Sequence, residues 1–139
     1  MLVMKVFDAR DEAAVKTFVN ELKAFNALSE LQGQIIPSLH SFGQMVHTGC
    51  LIIITHWAGC NITNCNTLSL PVLETAKQGL QAMHNLHVSH GDIHSRNMLL
   101  HESRIMFCDL GQSTVDALSG AYEQDLSMLD EVVQAIQIV

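Results

Sequence analysis

The spacing of the apolar residues changes several times along the chain, and these changes limit the folds that it can form. An apolar residue recurs every three or four positions over 8–31 and again over 70–87, which predicts two amphipathic helices. Short apolar runs at 1–7, 34–44 and 48–57 predict strands instead. The sequence therefore predicts an α+β protein with a mostly β front half and a mostly helical back half.

The second half of the chain follows a polar break. Residues 58–69 are rich in Asn, Gly and Thr, a composition that predicts a linker or hinge. Apolar runs at 97–100 and 104–110 predict a hairpin with its turn at 101–103, and 122–139 predicts a closing helix. A chain of 139 residues is expected to form a single domain.

The composition excludes several classes of protein. Hydrophobic residues make up 48% of the chain and charged residues 15%, as in a globular domain, and the net charge of −7 argues against nucleic acid or an anionic membrane as a partner. The longest apolar run, at 50–55, is too short to span a bilayer, and the first seven residues lack the layout of a secretion signal. We expect a cytoplasmic or nuclear protein with reduced thiols, because no disulfide scaffold has the spacing of its cysteines, Cys50, Cys60, Cys65 and Cys108.

The stretch HGDIHSRN concentrates polar residues between apolar flanks. It places Asp92 and Asn97 in a loop after a helix, and the later CDLGQS places Asp109 at the end of a strand. Phosphoryl transfer needs a carboxylate to orient the attacking hydroxyl and oxygen ligands to hold magnesium on the triphosphate. Asp92 suits the first role, and Asn97 with Asp109 suits the second. Upstream, Lys5 and Glu21 could form an ion pair that directs a cation at the phosphates.

Together these motifs resemble the protein-kinase-like superfamily along nearly the whole chain. VMK resembles its lysine-bearing third strand, NELKAF its glutamate-bearing helix, HGDIHSRN its catalytic loop and DLG its magnesium-binding DFG triplet. The resemblance implies a truncated bilobal fold, with a small β-rich N-lobe with one helix over 1–55, a hinge at 56–66 and a mostly helical C-lobe over 67–139. It also implies ATP and Mg²⁺ as cofactors, and transfer of the γ-phosphate to a hydroxyl of a protein or a small molecule.

The resemblance assigns roles to particular residues. It implies Asp92 as the catalytic base, assisted by Asn97, with Asn97 and Asp109 as metal ligands. The implied ATP contacts are the phosphate-positioning pair Lys5 and Glu21, the adenine neighbours Val3 and Leu99, the gatekeeper Ile54 and the hinge residues His56 and Trp57. A buried column through Phe25, His90 and Leu110 is also implied, as is a role for Asp125 in holding the backbone of the catalytic loop.

Departures from the family pattern leave the substrate and the activity open. The chain starts at the implied third strand, so we expect the glycine-rich loop to be absent. Gly91 replaces an arginine and His94 replaces a lysine, and HGD followed by histidine resembles the aminoglycoside and choline kinase branch and small fungal kinase-like proteins. The alternative is an inactive pseudokinase that binds a protein partner or itself through an exposed apolar surface.

Several of these residues also have simpler explanations. Lys5 could be a solvated lysine that protects an edge strand, and Glu21 could pair on the surface with Lys16 or Lys23. A metal site is a further alternative, built from His56, Cys60 and Cys65 or from His84, His87, His90 and His94.

Overall fold

The computed structural model describes residues 1–139 and confirms the α+β class. It has three α-helices: α1 (Glu12–Ala27), α2 (Leu70–Asn85) and α3 (Ser119–Gln134). None of them combines the length and the apolar character that crossing a bilayer requires.

Helix α1 buries one face and begins at a side-chain cap. The Asp11 carboxylate accepts a hydrogen bond from the backbone N–H of Ala13 and so caps the helix. The buried residues of α1 recur at helical spacing and are Phe18, Glu21, Ala24 and Phe25. One of the four is a carboxylate, and a buried carboxylate requires a partner.

The front half of the chain forms a three-stranded antiparallel sheet. Its strands are β1 (Leu2–Phe7), β2 (Leu39–Gln44) and β3 (Leu51–His56), and β3 lies between the other two. The sheet therefore has two edges, β1 and β2. The pairing of β2 with β3 shifts register between Leu39 and Ser41, whereas the pairing of β1 with β3 is continuous.

The back half contains the predicted hairpin and several very short strands. The hairpin joins β7 (Met98–His101) to β8 (Arg104–Phe107). The short strands are β4 (Cys60–Asn61), β5 (Thr67–Leu68), β6 (Val88–Ser89), β9 (Thr114–Val115) and β10 (Gln137–Ile138).

The segment predicted as a linker or hinge is held by this hairpin. Strand β4 pairs with β7, with Cys60 opposite Leu100. Gly59 has a φ of +113°, and a Cβ there would lie 2.2 Å from the carbonyl oxygen of Leu100. Only glycine permits this close approach of two backbones, so residues 58–61 form a packed connection.

The prediction of a closing helix over 122–139 is wrong at its C-terminal end. Helix α3 ends at Gln134, and β10 then pairs in parallel with β5, with Ile138 opposite Leu68. The last residues, IQIV, are rich in β-branched side chains, which favour a strand once a partner strand is near. The partner strand is β5, which lies far from β10 in the sequence.

One continuous cluster of 20 buried apolar residues runs through both halves of the chain. It includes Phe25 of α1, Ile53 of β3, Leu80 of α2, Phe107 of β8 and Leu129 of α3. The elements that carry the motif residues are therefore packed on a single core, which limits how far they can move apart.

Candidate functional site

The ammonium group of Lys5 joins three elements of the fold. Its Nζ lies 2.8 Å from Oε2 of Glu21 and 2.7 Å from Oδ1 of Asp109. Lys5 lies on β1, Glu21 on α1, and Asp109 follows β8. The partner of Glu21 is therefore Lys5, and neither Lys16 nor Lys23 fills that place.

The three groups shift one another's titration. Burial alone would lower the pKa of Lys5, but its hydrogen bonds to Asp109 and Glu21 raise that pKa above 10.5. Burial raises the pKa of Glu21 above 4.5, although Lys5 opposes this rise. Burial would likewise raise the pKa of Asp109, but Lys5 holds it below 3.8. Lys5 and Asp109 are thus charged at neutral pH, and the charge of Glu21 depends on its partner.

Asp109 is held in an unusual backbone conformation by contacts with α1. Its φ of 61° and ψ of 75° lie in the left-handed region, which few non-glycine residues adopt. The amide of Asn20 donates to the carbonyls of Gly111, at 2.9 Å, and Ser113, at 2.7 Å. These bonds fix the turn after Asp109 against the helix that carries Glu21. Such over-determined conformations cluster at functional sites.

Asn97 links Asp92 to the cleft. Its Nδ2 lies 2.9 Å from the carbonyl of Asp92, 3.1 Å from Oδ2 of Asp92 and 3.1 Å from Nε2 of His94. Since the carboxylate can only accept from the amide nitrogen, these bonds set the orientation of the Asn97 amide. No protein group bonds to its Oδ1, which leaves that oxygen available as a ligand.

His90 connects the loops that carry Asp92 and Asp109. Its Nδ1 accepts from the N–H of Asp92 at 3.2 Å, and its Nε2 lies 3.0 Å from the carbonyl oxygen of Cys108. The accepting Nδ1 requires the proton to be on Nε2, so the ring is neutral. Burial lowers the pKa of His90, in keeping with this neutral state.

Asp125 of α3 anchors the start of the loop that leads into Asp92. Its side chain is fully buried and accepts from the backbone N–H groups of His90, at 2.8 Å, and Gly91, at 2.9 Å. It also lies 2.9 Å from Nε2 of His84. A Cβ at Gly91, whose φ is +81°, would lie 2.2 Å from the carbonyl oxygen of Gln112. Gly91 is therefore required by close packing of the two loops.

The charged groups line one end of a cleft. A cavity of about 300 Å³ contains Lys5, Glu21, Asn97 and Asp109 in its wall, together with apolar residues that include Val3 and Ile53. An adjoining hollow of about 650 Å³ is lined by His56, Trp57 and Leu99, among others. The two share Val3, Pro37, Thr55 and Cys108, so they form one cleft with a charged end and an end that contains no Asp, Glu, Lys or Arg.

Two of the predicted site residues lie outside this cleft. Asp92 is in neither wall, and its link to the cleft is its hydrogen bond with Asn97. Ile54 lies on the opposite face of the sheet, because side chains alternate along a strand and Ile53 faces the cavity. Thr55 lines the cleft instead, opposite Val3 in the register of β1 and β3. The sequence did not indicate Thr55, because that register is set by tertiary pairing.

The backbone N–H groups of the two residues expected at the hinge already donate hydrogen bonds within the protein. The N–H of His56 donates to the carbonyl of Ser38 at 2.9 Å, and the N–H of Trp57 donates to the carbonyl of Met1 at 3.0 Å. A bound base could therefore be recognised by His56 and Trp57 through their carbonyls and side chains, but not through these two donors.

The cysteines and histidines do not form a metal site. His56, Cys60 and Cys65 line the same hollow, yet no group of three or more His, Cys, Asp or Glu side chains converges closely enough to hold a metal ion. His84 and His90 have the hydrogen-bonding roles described above, and His87 is exposed.

No protein-family model and no curated protein matches this chain. The resemblance to the kinase-like superfamily therefore rests on the sequence motifs alone. The structure adds an α+β fold and a charged cleft.

Replacing Lys5 with methionine is expected to destabilise the protein in a pH-dependent way. At neutral pH the loss should be about 1–3 kcal/mol, the usual effect of leaving a buried polar group without its partner. Without Lys5 the pKa of Glu21 should rise further. A group with a raised folded-state pKa contributes stability below its unfolded pKa, and that contribution disappears as the pH rises through the folded value. The deficit of Lys5→Met should therefore grow as the pH rises from about 4.5. Urea unfolding across this range measures it.

The control for this variant is Lys16→Met. Lys16 and its partner Glu12, 3.6 Å away, are both exposed, so this change should alter the free energy of unfolding by less than about 0.5 kcal/mol at any pH. A deficit for Lys5→Met that stays constant with pH would contradict the assigned pairing with Glu21.

Proposed function

We propose that this chain is an ATP-dependent phosphotransferase of the protein-kinase-like superfamily, with a bilobal fold of that class. The observation that carries the proposal is the position of Lys5. Its ammonium group bonds to both Glu21 and Asp109, and Asn97 lies in the wall of the same cavity. A cation held between carboxylates beside further oxygen ligands suits a triphosphate with its metal ion.

The chemistry of the donors fits magnesium. Mg²⁺ prefers oxygen ligands and binds through one or two protein groups together with substrate phosphates and water. Asp109 offers a carboxylate, and Asn97 offers the Oδ1 that no protein group uses. When bound, Mg²⁺ would neutralise the charge of the β- and γ-phosphates.

The rest of the cleft suits the remainder of the nucleotide. Val3 and Leu99 line the end without charged side chains, where a purine ring could be buried, and Thr55 replaces Ile54 as the residue beside the ring. Lys5 would bind the phosphate oxygens at the charged end, and Glu21 would hold the Lys5 side chain in place. Burial of Glu21 favours this role, since a buried carboxylate is a fixed partner.

Asp92 would act on the phosphate acceptor. As the acceptor oxygen bonds to the γ-phosphorus, the bond from that phosphorus to the bridging oxygen of ADP breaks, and the hydroxyl proton passes to the Asp92 carboxylate. The side chain of Asp92 is partly exposed, so an acceptor can reach it. The amide of Asn97 orients the carboxylate for this step. The acceptor would be a hydroxyl of a protein or a small molecule.

Binding of ATP should depend on Asp109. Saturation of one site at about 100 times the dissociation constant adds about 2.7 kcal/mol to the free energy of unfolding, which raises Tm by roughly 5–10 °C. We expect Mg²⁺ with ATP to produce such a shift in the wild type, and ATP with excess EDTA to produce much less. Asp109→Ala should lose the shift, because it removes a metal ligand.

The ligand-induced shift is compared with each variant's own unliganded Tm, since Asp109→Ala also removes a partner of Lys5. Asp130→Ala, which alters an exposed carboxylate of α3, serves as the control and should retain the full shift. An equal shift in Asp109→Ala and the wild type would contradict the proposed metal role of Asp109.

A binding module without catalytic activity is a second candidate function. The observation that favours it is the exposure of four apolar residues on one strand: Leu2, Val3, Met4 and Val6. A protein that shows no thermal shift with Mg²⁺ and ATP, and yet forms a stable complex, would support this candidate over the enzyme.

A further inference from the structure

We propose that two copies of this chain associate through their β1 strands, edge to edge, to form a continuous six-stranded sheet. The inference is independent of the proposed phosphotransfer. It rests on the direction of the backbone groups of β1, on the side chains that accompany them, and on the contrast between the two edges of the sheet.

The hydrogen bonds between β1 and β3 show which backbone groups of β1 are already used. The N–H of Trp57 donates to the carbonyl of Met1, which marks these two as a hydrogen-bonded pair of the antiparallel ladder. Such pairs alternate with pairs that share no bond. The backbone groups directed at β3 are therefore those of Val3, Lys5 and Phe7.

The intervening residues direct their backbone groups at the free edge. Leu2, Met4 and Val6 each present one N–H and one C=O on the side of β1 away from β3. Their side chains are also exposed, at 49%, 56% and 55% respectively. The same three residues therefore offer both unpaired ladder groups and apolar surface, and a second strand would satisfy both at once.

The strand is complementary to itself. An antiparallel pairing centred on Met4 places Met4 opposite its own copy and Leu2 opposite Val6 of the partner. These three opposed pairs can exchange about six backbone hydrogen bonds. Lys5 is opposite Val3 of the partner, so no like charges meet across the interface. A second copy therefore fits this edge without any change in the strand.

Strand β1 has none of the features by which edge strands commonly avoid pairing with another chain. Lys5 is the only charged residue of the strand, and Glu21 and Asp109 hold its side chain on the inner face. Lys5 thus does not protect the edge in the way that an exposed lysine does. The strand also has no proline and no bulge.

The opposite edge of the sheet is less suited to pairing. Strand β2 also lacks charged residues, and its Phe42 is exposed, but its register is irregular near Ser41 and it contains the polar residues His40 and Gln44. Irregular and polar edge strands resist pairing with another chain. Because β1 is the regular edge, we expect association to stop at two copies and not to continue into a filament.

The pairing would extend the sheet beside the cleft. Val3, Met4 and Lys5 line the cavity from β1, and the partner's β1 would lie next to them as a further strand of the same sheet. The dimer thereby brings two clefts to neighbouring positions, related by the two-fold axis through Met4.

The test is the mass of the protein in solution, together with two variants. Sedimentation velocity across the micromolar range should show wild-type particles of twice the 15.3 kDa chain mass. Met4→Lys places two ammonium groups against each other at the two-fold axis, and should raise the dissociation constant by about 100-fold or more. Ser41→Lys adds the same charge on the exposed residue of the other edge, and should leave the dimer intact.

A cysteine pair gives a second measurement that does not depend on loss of association. In the proposed pairing the two Met4 Cα atoms lie about 5.5 Å apart, within the range of a disulfide. Under mild oxidation Met4→Cys should form a covalent dimer much faster than Ser41→Cys or the wild type, whose own cysteines report the background. A monomeric wild type at every concentration, or equal cross-linking of Met4→Cys and Ser41→Cys, would overturn the proposal.

Discussion

Replacing Asp92 with asparagine should slow Mg²⁺-dependent turnover of ATP by about 10²–10⁴-fold, the usual contribution of a general base. Asparagine has nearly the same shape and can still accept a hydrogen bond from Asn97, but it cannot take up a proton from the attacking hydroxyl. Release of ADP, with water as the acceptor, measures the rate without knowledge of the natural substrate. Asp92 lines neither part of the cleft, so the thermal shift caused by Mg²⁺ and ATP should remain.

Two controls make this result specific. Asp130→Asn removes a carboxylate from an exposed position and should leave turnover unchanged. Asp109→Ala should lose both binding and turnover, which distinguishes a ligand of the metal from a base. Turnover by Asp92→Asn equal to that of the wild type would contradict the proposed role of Asp92 as the base.

Replacing Asp125 with alanine should lower the free energy of unfolding by about 3–5 kcal/mol, a large share of the stability of a small domain. The variant leaves the backbone N–H groups of His90 and Gly91 buried without an acceptor, and it removes the partner of His84. Urea unfolding monitored by circular dichroism measures the change. Asp125→Asn should cost less, because its one amide oxygen can still accept.

The control on the same helix is Asp130→Ala, whose exposed side chain should contribute less than about 0.5 kcal/mol. A similar small effect for Asp125→Ala would contradict the anchoring role. Because Asp125 holds the segment that leads into Asp92, we also expect the destabilised variant to lose turnover at temperatures where it remains folded.

The local elements of the fold could be predicted because their signals are local. The apolar stripe of α1 and the hairpin of β7 and β8 each depend on residues that are close together in the sequence. The short strands β4 and β10 escaped prediction because each has only two residues and forms only where a distant strand provides its hydrogen bonds. Packing overrides local preference in such segments.

The residue types of the candidate site could likewise be predicted from the sequence, but the faces on which its strand residues lie could not. The residue types at Asp92, Asn97 and Asp109 indicated metal and proton chemistry, since carboxylates and amides at loop positions are suited to it. The sequence does not show which residues of β3 face the cleft. The family resemblance therefore implied Ile54 at this position, whereas Thr55 lines the cleft. A shift of one residue in a strand moves a side chain to the other face, and register depends on pairing with β1.

The α+β class, the amphipathic helices and the polar residues of the candidate site could be predicted from the sequence, because periodicity and residue type are properties of short segments. The sequence also suggested the pair of Lys5 and Glu21, but the second bond of Lys5, to Asp109 104 residues away, and the position of β1 at an edge of the sheet are known only from the folded chain. Both results depend on which distant segments pack together, and the free energy of that packing is shared among contacts that no single stretch of sequence contains.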